Sequence, residues 1–474
     1  MVGYPVPGSP LPMRIGIDFG TSYSAAAAIV DGQLELVRFG DARQFRTAVF
    51  FPEVVPNVDD FVLTPALEAQ VDAFVRASRL DERQAGRTPR GDMDLRRDAI
   101  RVVRRQWMEE RTREASASVA SFQDALFGEE AVDAYLEEGT GNLIESPKSM
   151  FGYKLDPRVR KTIVSIAAHI LEHVRLVATR QFGTPVREAV IGRPVEFRSS
   201  MGAAGGEQAL SILREAARIA GFDEVSFLEE PAAAAMHYHQ SLAERQRAII
   251  VDIGGGTTDV AYAELGAGEV PIMHRSWGLP RGGTDLDVGV SLHSFMPRFG
   301  KDLSGVPVHH FVEAASVHNL PKQREFRKQD YRLVDEPFGS RLRALQGTGA
   351  TTRLNQSAER MKIDLSASDE ASATLDFIEA GLTIDAVAGD FRAASEDFLD
   401  RMGRLLDQAQ ADIGEAPASV FLTGGTSRSP QVRERVGASF PGIRVVHGDP
   451  SLGVVSGLAQ AALLSNSSIA SDSR

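Results

Sequence analysis

From Arg14 onward, apolar residues fall in short runs split by turn residues: IGIDFG, SAAAAIV and QLELVRF, with Gly20-Thr21-Ser22 and Asp31-Gly32 between them. Runs of this length bounded by Gly, Ser and Asp predict three antiparallel strands in a meander. Val159, Ile163, Ile166, Ile170, Val174 and Val177 recur at helical spacing and predict an amphipathic helix over 159–182. AVIG predicts a strand ending at Arg193-Pro194, and a helix over 207–220 stops at Gly221. SFL leads into Glu229-Glu230-Pro231, where AAAAMHY begins a helix with Pro in its first turn. Helical patterns return over 352–366 and 388–413. The strand SVFLTGG, a helix from Pro430, the strand RVVHG and a last helix over 452–464 follow. Residues 300–350 carry no clear period.

The opening pattern occurs twice. IIVDIGGGTTDVAYA repeats IGIDFGTSYSAAAAI, which makes Asp18 and Asp252 equivalent at a separation of 234 residues. That spacing is too long for a solenoid and indicates a duplicated domain. Strands followed by helices in both halves predict an α/β architecture, with lobe I over 14–245 and lobe II over 246–464. An upper subdomain is expected over about 285–380. The stretch 66–145 is polar and helix-like, with twelve Arg against seven acids between Arg76 and Arg113. It reads either as a solvated helical face with mixed ion pairs or as a binding surface. Residues 1–13 lack a charged n-region and a continuous apolar run, so a disordered leader is expected there rather than a signal peptide. The polar residues 465–474 are expected to form a disordered tail.

Composition narrows the chemistry. With 43% apolar and 24% charged residues, the 474-residue chain is not disordered throughout. A net charge of −12 argues against broad electrostatic binding to nucleic acid. No apolar run reaches membrane-spanning length, so no membrane association is expected. The sequence holds no cysteine, which excludes disulfides, thiolate nucleophiles and cysteine-ligated metals within it. A cytoplasmic monomer is expected. Only seven of the 52 basic residues are Lys.

A short Gly- and Thr-containing turn between strands gathers backbone N–H groups into a concavity suited to phosphate. An Asp at the end of the preceding strand can hold hydrated Mg²⁺ through its waters. Asp18, Gly20 and Thr21, together with Asp252, Gly254, Gly255, Gly256 and Thr257, could therefore grip a polyphosphate from two sides. Gly424, Gly425, Thr426 and Arg428 form a strand-to-helix turn against which a flat nucleoside can lie. Gly282, Gly283 and Thr284 precede a helix and also read as its N-terminus. Neither G-x-x-x-x-G-K-[ST] nor G-x-G-x-x-G is present, so nucleotide chemistry needs another cradle.

These four turns, in this order, resemble the nucleotide-binding domain of the seventy-kilodalton heat-shock chaperones, within the actin, sugar-kinase and heat-shock ATPase superfamily. IDFGTSYS is similar to the first phosphate motif, VDIGGGTTDV to the second, FLEEPAAAAMHY to the connecting motif, LTGGTSRSPQV to the adenosine motif and DPSLGVVSGLAQAA to the closing helix. The resemblance implies an actin-like ATPase fold: two duplicated, ribonuclease H-like lobes around a nucleotide cleft, with a helical insertion. It implies ATP or ADP with Mg²⁺, held on Gly20, Thr21, Ser22 and Tyr23 and on the turns above. Asp18 and Asp252 resemble the pair around Mg²⁺, acting through water. Lys148 resembles the catalytic Lys, with Lys154 the fallback. Glu230 matches a Glu near the metal, Asp259 a proton acceptor, and Thr257 a Thr near the γ-phosphate. Glu359, Lys362 and Ser366 match the adenosine-contacting helix, and Asp449 falls in the closing motif.

Three departures bear on function. Ile363 stands where the family has an adenine-stacking Arg, which implies weaker nucleotide affinity. Gly282-Gly283-Thr284-Asp285-Leu286-Asp287 lacks the family's Glu, which implies looser contacts between lobes. The sequence also ends near where the nucleotide domain ends, so no peptide-binding domain is expected, as in single-domain chaperone-like proteins of the YegD type. Three readings stay open: a slow Mg-dependent ATPase switch with an unidentified protein partner or client, a nucleotide-binding scaffold without significant hydrolysis, and a metabolite kinase.

Overall fold

The computed structural model describes residues 13–52, 61–84, 90–117, 125–449 and 452–471; the expected leader, apart from Met13, lies outside them. The chain divides into two compact units. One consists of Phe51–Ala125 and Thr140–Asn142. Within it α1 (Pro65–Gln84) packs on α2 (Asp92–Ala117) through Val71, Ala99 and Val103. Exposed ion pairs join Arg96 of α2 to Glu68 of α1 and Arg90, just before α2, to Asp98. The expected insertion over 66–145 is thus shifted, because α3 (Gly128–Glu138) and Glu145 belong to the larger unit.

The larger unit is built on two sheets of the same topology. In the first, β1 (Met13–Phe19), β2 (Tyr23–Val30) and β3 (Gln33–Leu36) form the predicted meander, and β4 (Phe45–Arg46) adds to β2. A small separate sheet contains β5 (Ala48–Phe51), β6 (Leu126–Phe127) and β7 (Asn142–Glu145). β8 (Val186–Arg193) then pairs parallel with β1, and β9 (Glu224–Glu229) with β8. The second sheet repeats this plan. β10 (Gln246–Ile253), β11 (Thr258–Leu265) and β12 (Ile272–Leu279) form an antiparallel meander. After the hairpin β13 (Glu370–Thr374) and β14 (Thr383–Val387), strands β15 (Ser419–Thr423) and β16 (Arg444–His447) add in parallel beside β10. Asp18 and Asp252 are each the penultimate residue of their central strand.

Helices cover both faces. α4 (Pro157–Phe182) starts at Asp156, whose carboxylate accepts the Arg158 N–H, has Pro157 in its first turn, and ends on Gly183 in the left-handed region. By length and composition α4 is apolar enough to cross a membrane, contrary to the sequence reading. It nonetheless buries Ile163, Ile166, Ile170, Leu171 and Val174 and packs on α5 (Ala203–Ile219) and β8. It is a core helix of this fold.

α6 (Glu230–His239) leaves the first sheet but packs on the second, against Ala248, Ile250, Ala261 and Ala263. α14 (Gly453–Ser471) leaves the second but packs on the first, placing Val455 and Ala459 against Ala25 and Ala27. The two meet where a Cβ on Gly457 would run into the backbone of Ala233. α14 continues past 464, so residues 465–471 are helical rather than the expected irregular tail.

Residues 300–350 gave no period because their helices are only eight or nine residues long. After α7 (Gly283–Val290) come α8 (Val308–Ala315), α9 (Leu320–Lys328) and α10 (Phe338–Leu345), then α11 (Ala350–Leu365). Phe299, Phe311, Phe326, Tyr331 and Leu354 give this region its own core, at about 1.5–3 kcal/mol per fully buried side chain. α12 (Ala388–Ile413) and α13 (Pro430–Ser439) cover the outer face of the second sheet. The halves built on the two large sheets are called lobe I and lobe II below.

Candidate active site

The two phosphate-type turns face each other. A Cβ on Gly255 would strike the Ser22 hydroxyl, and one on Gly256 the Thr21 hydroxyl, so only glycine permits this approach. The remaining turns are tied to the second. Gly254 O accepts from Gly283 N at 3.0 Å and from Thr426 Oγ1 at 2.9 Å, and Gly255 O accepts from Thr284 N at 2.8 Å. Sequence positions up to 172 residues apart thus converge on one loop.

Around these turns lies a cavity of about 550 Å³. Asp18, Gly20, Thr21, Ser22, Tyr23, Lys148, Glu230, Asp252, Gly254, Gly255, Gly256 and Thr257 line its inner part. Gly283, Glu359, Lys362, Ser366, Gly424, Gly425, Thr426 and Arg428 line the rest. Four expected residues do not line it. Gly282 packs against the backbone of Gly254 and Gly255, and Thr284 is bonded to Gly255 O and Arg198. Asp259 is buried one strand over. Asp449 is exposed, and its carbonyl accepts from Thr423 Oγ1 at 3.2 Å, so it is a local fastening of the loop before α14.

Lys148 stands on a 3-10 turn, Pro147–Met150, preceded by Ser146 in the left-handed region. A non-glycine residue there costs about 1 kcal/mol or more. The turn is held by Ser149 Oγ donating to Ser146 O at 2.7 Å. Lys148 Nζ donates to Glu230 Oε1 at 2.6 Å, and both side chains are buried. Burial alone would pull the Lys148 ammonium down, but the Glu230 and Asp18 carboxylates raise it above its ordinary value. On the acids burial acts in the opposite sense, upward. Burial, then Glu230, raises Asp18 to about 7, and the same causes push Asp259 to about 8 and Asp252 well above the usual carboxylate range.

Asp252 lies directly opposite Asp259 across the β10–β11 ladder. Like charges so placed destabilise a sheet, which marks this pair as serving something other than stability. Asp259 Oδ1 accepts the Val195 N–H at 2.6 Å, and Oδ2 is buried without a hydrogen-bond partner.

The donor set fits a hydrated Mg²⁺. Three buried carboxyls, Glu230, Asp252 and Asp259, and the half-buried Asp18 share one buried ammonium, Lys148. Among the described residues no three acidic or His side chains close on one point tightly enough to ligate a metal directly. An ion that keeps its waters suits such a spacing.

Several functional contacts were not expected from the sequence. Arg46 Nη2 reaches Glu359 Oε2 at 2.9 Å, and Arg46 Nε reaches Glu129 Oε1 at 3.0 Å. Lys362 Nζ pairs with Asp287 Oδ1 at 2.6 Å. Arg198 ion-pairs with Asp285 and donates through Nε to Gly256 O at 3.0 Å and through Nη2 to Thr284 Oγ1 at 3.2 Å. Asp285 and Arg198 thus bridge the two lobes where the family's Glu is missing. No sequence signal pointed to Arg46 or Arg198, two among 45 arginines in a chain whose partners lie far along the sequence.

The family model described as Hsp70 protein matches residues 147–308 and 340–467, more than half of the chain. The chain belongs to the Hsp70 family. Among its Hsp70 relatives, it is 30% identical over 293 residues to the chaperone protein DnaK of Anaplasma marginale, covering 59% of this chain and 38% of that protein. It is 26% identical over 442 residues to the chaperone protein DnaK 1 of a Synechococcus species, covering 89% and 46%. It is 25% identical over 433 residues to DnaK of Deinococcus radiodurans, covering 89% and 55%. The chain spans about half the length of the curated relatives it matches. Hsp70 membership accords with the duplicated sheets and the cleft between them: the fold is that of the actin-like ATPases.

Proposed function

We propose that the chain is a slow, Mg²⁺-dependent ATP-hydrolysing switch of chaperone type, whose two lobes change their relation with the nucleotide bound. The observation that carries this reading is the buried Lys148–Glu230 pair set among Asp18, Asp252 and Asp259 where the two phosphate turns meet. Phosphoryl transfer to water asks a protein mainly to position groups and offset charge. The turn N–H groups of both lobes would hold the phosphates, and Lys148 would offset the γ-phosphate charge. Asp18 and Asp252 would hold Mg²⁺ through its waters, and the ion would neutralise charge on the phosphate oxygens. Water would attack phosphorus as the bond to the bridging oxygen breaks, and its proton would pass through further water to Asp259, which lies behind the cleft on the neighbouring strand. A carboxyl raised to about 8 is a good acceptor once ionised, but it is seldom ionised at neutral pH. That combination supports a slow rate.

The adenosine end would lie between α11 and the Gly424–Arg428 turn. Ile363, half exposed at the cleft, would take one face of the base, and Arg428 could stack on the other. The output would go to an unidentified protein client or partner.

The test is phosphate release under single turnover. Wild-type chain with Mg²⁺ and ATP should release phosphate slowly, and Lys148→Ala should retain nucleotide while losing hydrolysis by about a hundredfold or more. Wild-type hydrolysis in that variant would remove Lys148 from the chemistry. Tight binding by wild type with no release over hours would favour the scaffold reading.

A further inference from the structure

A second cavity, about 690 Å³, shares no lining residue with the nucleotide cleft. Its walls come from both lobes. Lobe I supplies Ser149, beside the catalytic-type Lys, and Arg198; lobe II supplies Arg281, Lys301, His318 and Lys322. Four fixed cations thus face two lining carboxylates, Asp285 and Asp397. Arg198 and Arg281 are already paired with Asp285, Lys301 with Asp302, and Asp397 with Arg401. Lys322 has no ion partner among the described residues and is exposed at the rim.

His318 adds nothing to the positive charge. Its Nε2 lies 3.3 Å from Arg198 Nη1, and a guanidinium can only donate, so Nε2 is the bare acceptor of a neutral ring. Burial, with Arg198 and Lys322 adding, holds it down at about 3. The ring therefore orients Arg198 without being charged by pH changes near neutrality. The His318 carbonyl also accepts from Ser149 Oγ at 3.1 Å, so this loop touches lobe I at the very turn that presents Lys148.

His318 and Lys322 come from 309–339, the stretch lying between the two parts that the Hsp70 family model matches. Of the four lining cations, Lys322 alone lies outside the matched parts; Arg198, Arg281 and Lys301 lie within them. The space is several times that of one phosphate, and Ser149, Ser199 and Asn319 line it with hydroxyl and amide groups.

We propose that this cavity binds a phosphate group, free or carried on a small phosphomonoester, between Lys322 and Arg198, and that the bound group ties lobe I to lobe II. Charge-assisted contacts from an unpaired ammonium and an oriented guanidinium are the chemistry that recognises phosphate.

The test titrates inorganic phosphate and, separately, glycerol 3-phosphate into the full chain saturated with Mg²⁺ and a non-hydrolysable ATP analogue, read by calorimetry. The analogue fills the γ-phosphate position, so the nucleotide cleft is closed to the probe. One or both probes should bind saturably at one site, and the tighter one identifies the source of the phosphate. Lys322→Glu should weaken binding at least about tenfold, and Lys322→Ala less, while both keep the wild-type melting temperature. The same Lys322-dependent component should appear without the analogue, so it stands or falls separately from the nucleotide reading. No saturable binding of either probe, or wild-type binding in Lys322→Glu, overturns the proposal.

Discussion

Arg46 on β4 of lobe I holds Glu359 on α11 of lobe II, Nη2 to Oε2, at 2.9 Å. Both side chains are mostly buried, and Glu129 and Tyr23 complete the surroundings of the guanidinium. Glu359 lines the nucleotide cleft and Arg46 the neighbouring cavity, and we propose that the pair gates nucleotide release. Arg46→Ala is expected to speed release of a fluorescent ADP by about tenfold, the equivalent of one partly buried ion pair. The charge swap Arg46→Glu with Glu359→Arg should recover part of the loss. Stopped-flow release rates unchanged in Arg46→Ala would show that the pair does not gate the cleft.

Removing Lys148 leaves Glu230 buried among three further carboxyls. Breaking a buried pair in this way costs about 3–5 kcal/mol, so Lys148→Ala should melt well below wild type in addition to losing hydrolysis. Lys148→Met combined with Glu230→Gln removes both charges and should restore most of the stability without the activity. Denaturant unfolding of the two variants separates the structural cost from the chemical one.

Ile363 occupies the position where the family resemblance expects an adenine-stacking Arg. Ile363→Arg should tighten ADP binding by about threefold to thirtyfold, the range of a cation–π contact. The effect should vanish with a nucleotide lacking the base. Equal affinity in wild type and variant, by calorimetry, would place the base elsewhere.

The pH dependence follows from two opposed sets of groups. His173, packed against Phe127, is held at about 4 by burial with Arg180 adding, and His318 at about 3. As pH falls below about 6.5, the unfolded chain takes up protons there that the folded chain refuses, and stability is lost. Asp18 at about 7 and Asp259 at about 8 do the reverse. Folded, they keep protons that the unfolded chain has released above about 4, so their contribution is lost as pH rises through 7 to 8, at about 1.4 kcal/mol per pH unit for each retained proton. Without metal and nucleotide, the melting temperature should therefore fall between pH 6.5 and 8. Mg²⁺ with ADP should flatten that fall and release protons at pH 7, measurable by calorimetry in two buffers of different ionisation enthalpy. A flat profile without ligand would refute the raised carboxyls.

Much of this was legible in sequence because it rests on local rules. The duplicated turns, α12 over 388–413 and the Glu230-Pro231 helix start follow from period, Gly and Pro. The resemblance then named the residues that converge. What stayed hidden depends on distant partners or short elements. Arg46 and Glu359 are 313 positions apart. α8, α9 and α10 are too short to show a helical period, so His318 and Lys322 could not be placed. Asp449 falls in the matching motif yet does not line the cleft, because a motif match fixes the chain's path and not which residues face a cavity.

The crossed placement of α6 and α14 bears on how the chain can be divided. A cut between Gln240 and Arg245 would separate the two sheets in sequence, yet each fragment would carry away the helix that covers the other's sheet. Neither piece could then bury its central strands alone, at Ile250 and Ala261 in one or Ala25 and Ala27 in the other. The two should remain insoluble apart and regain the fold only by complementation when mixed. The duplicated halves, for all their internal likeness, are mutually dependent rather than modular.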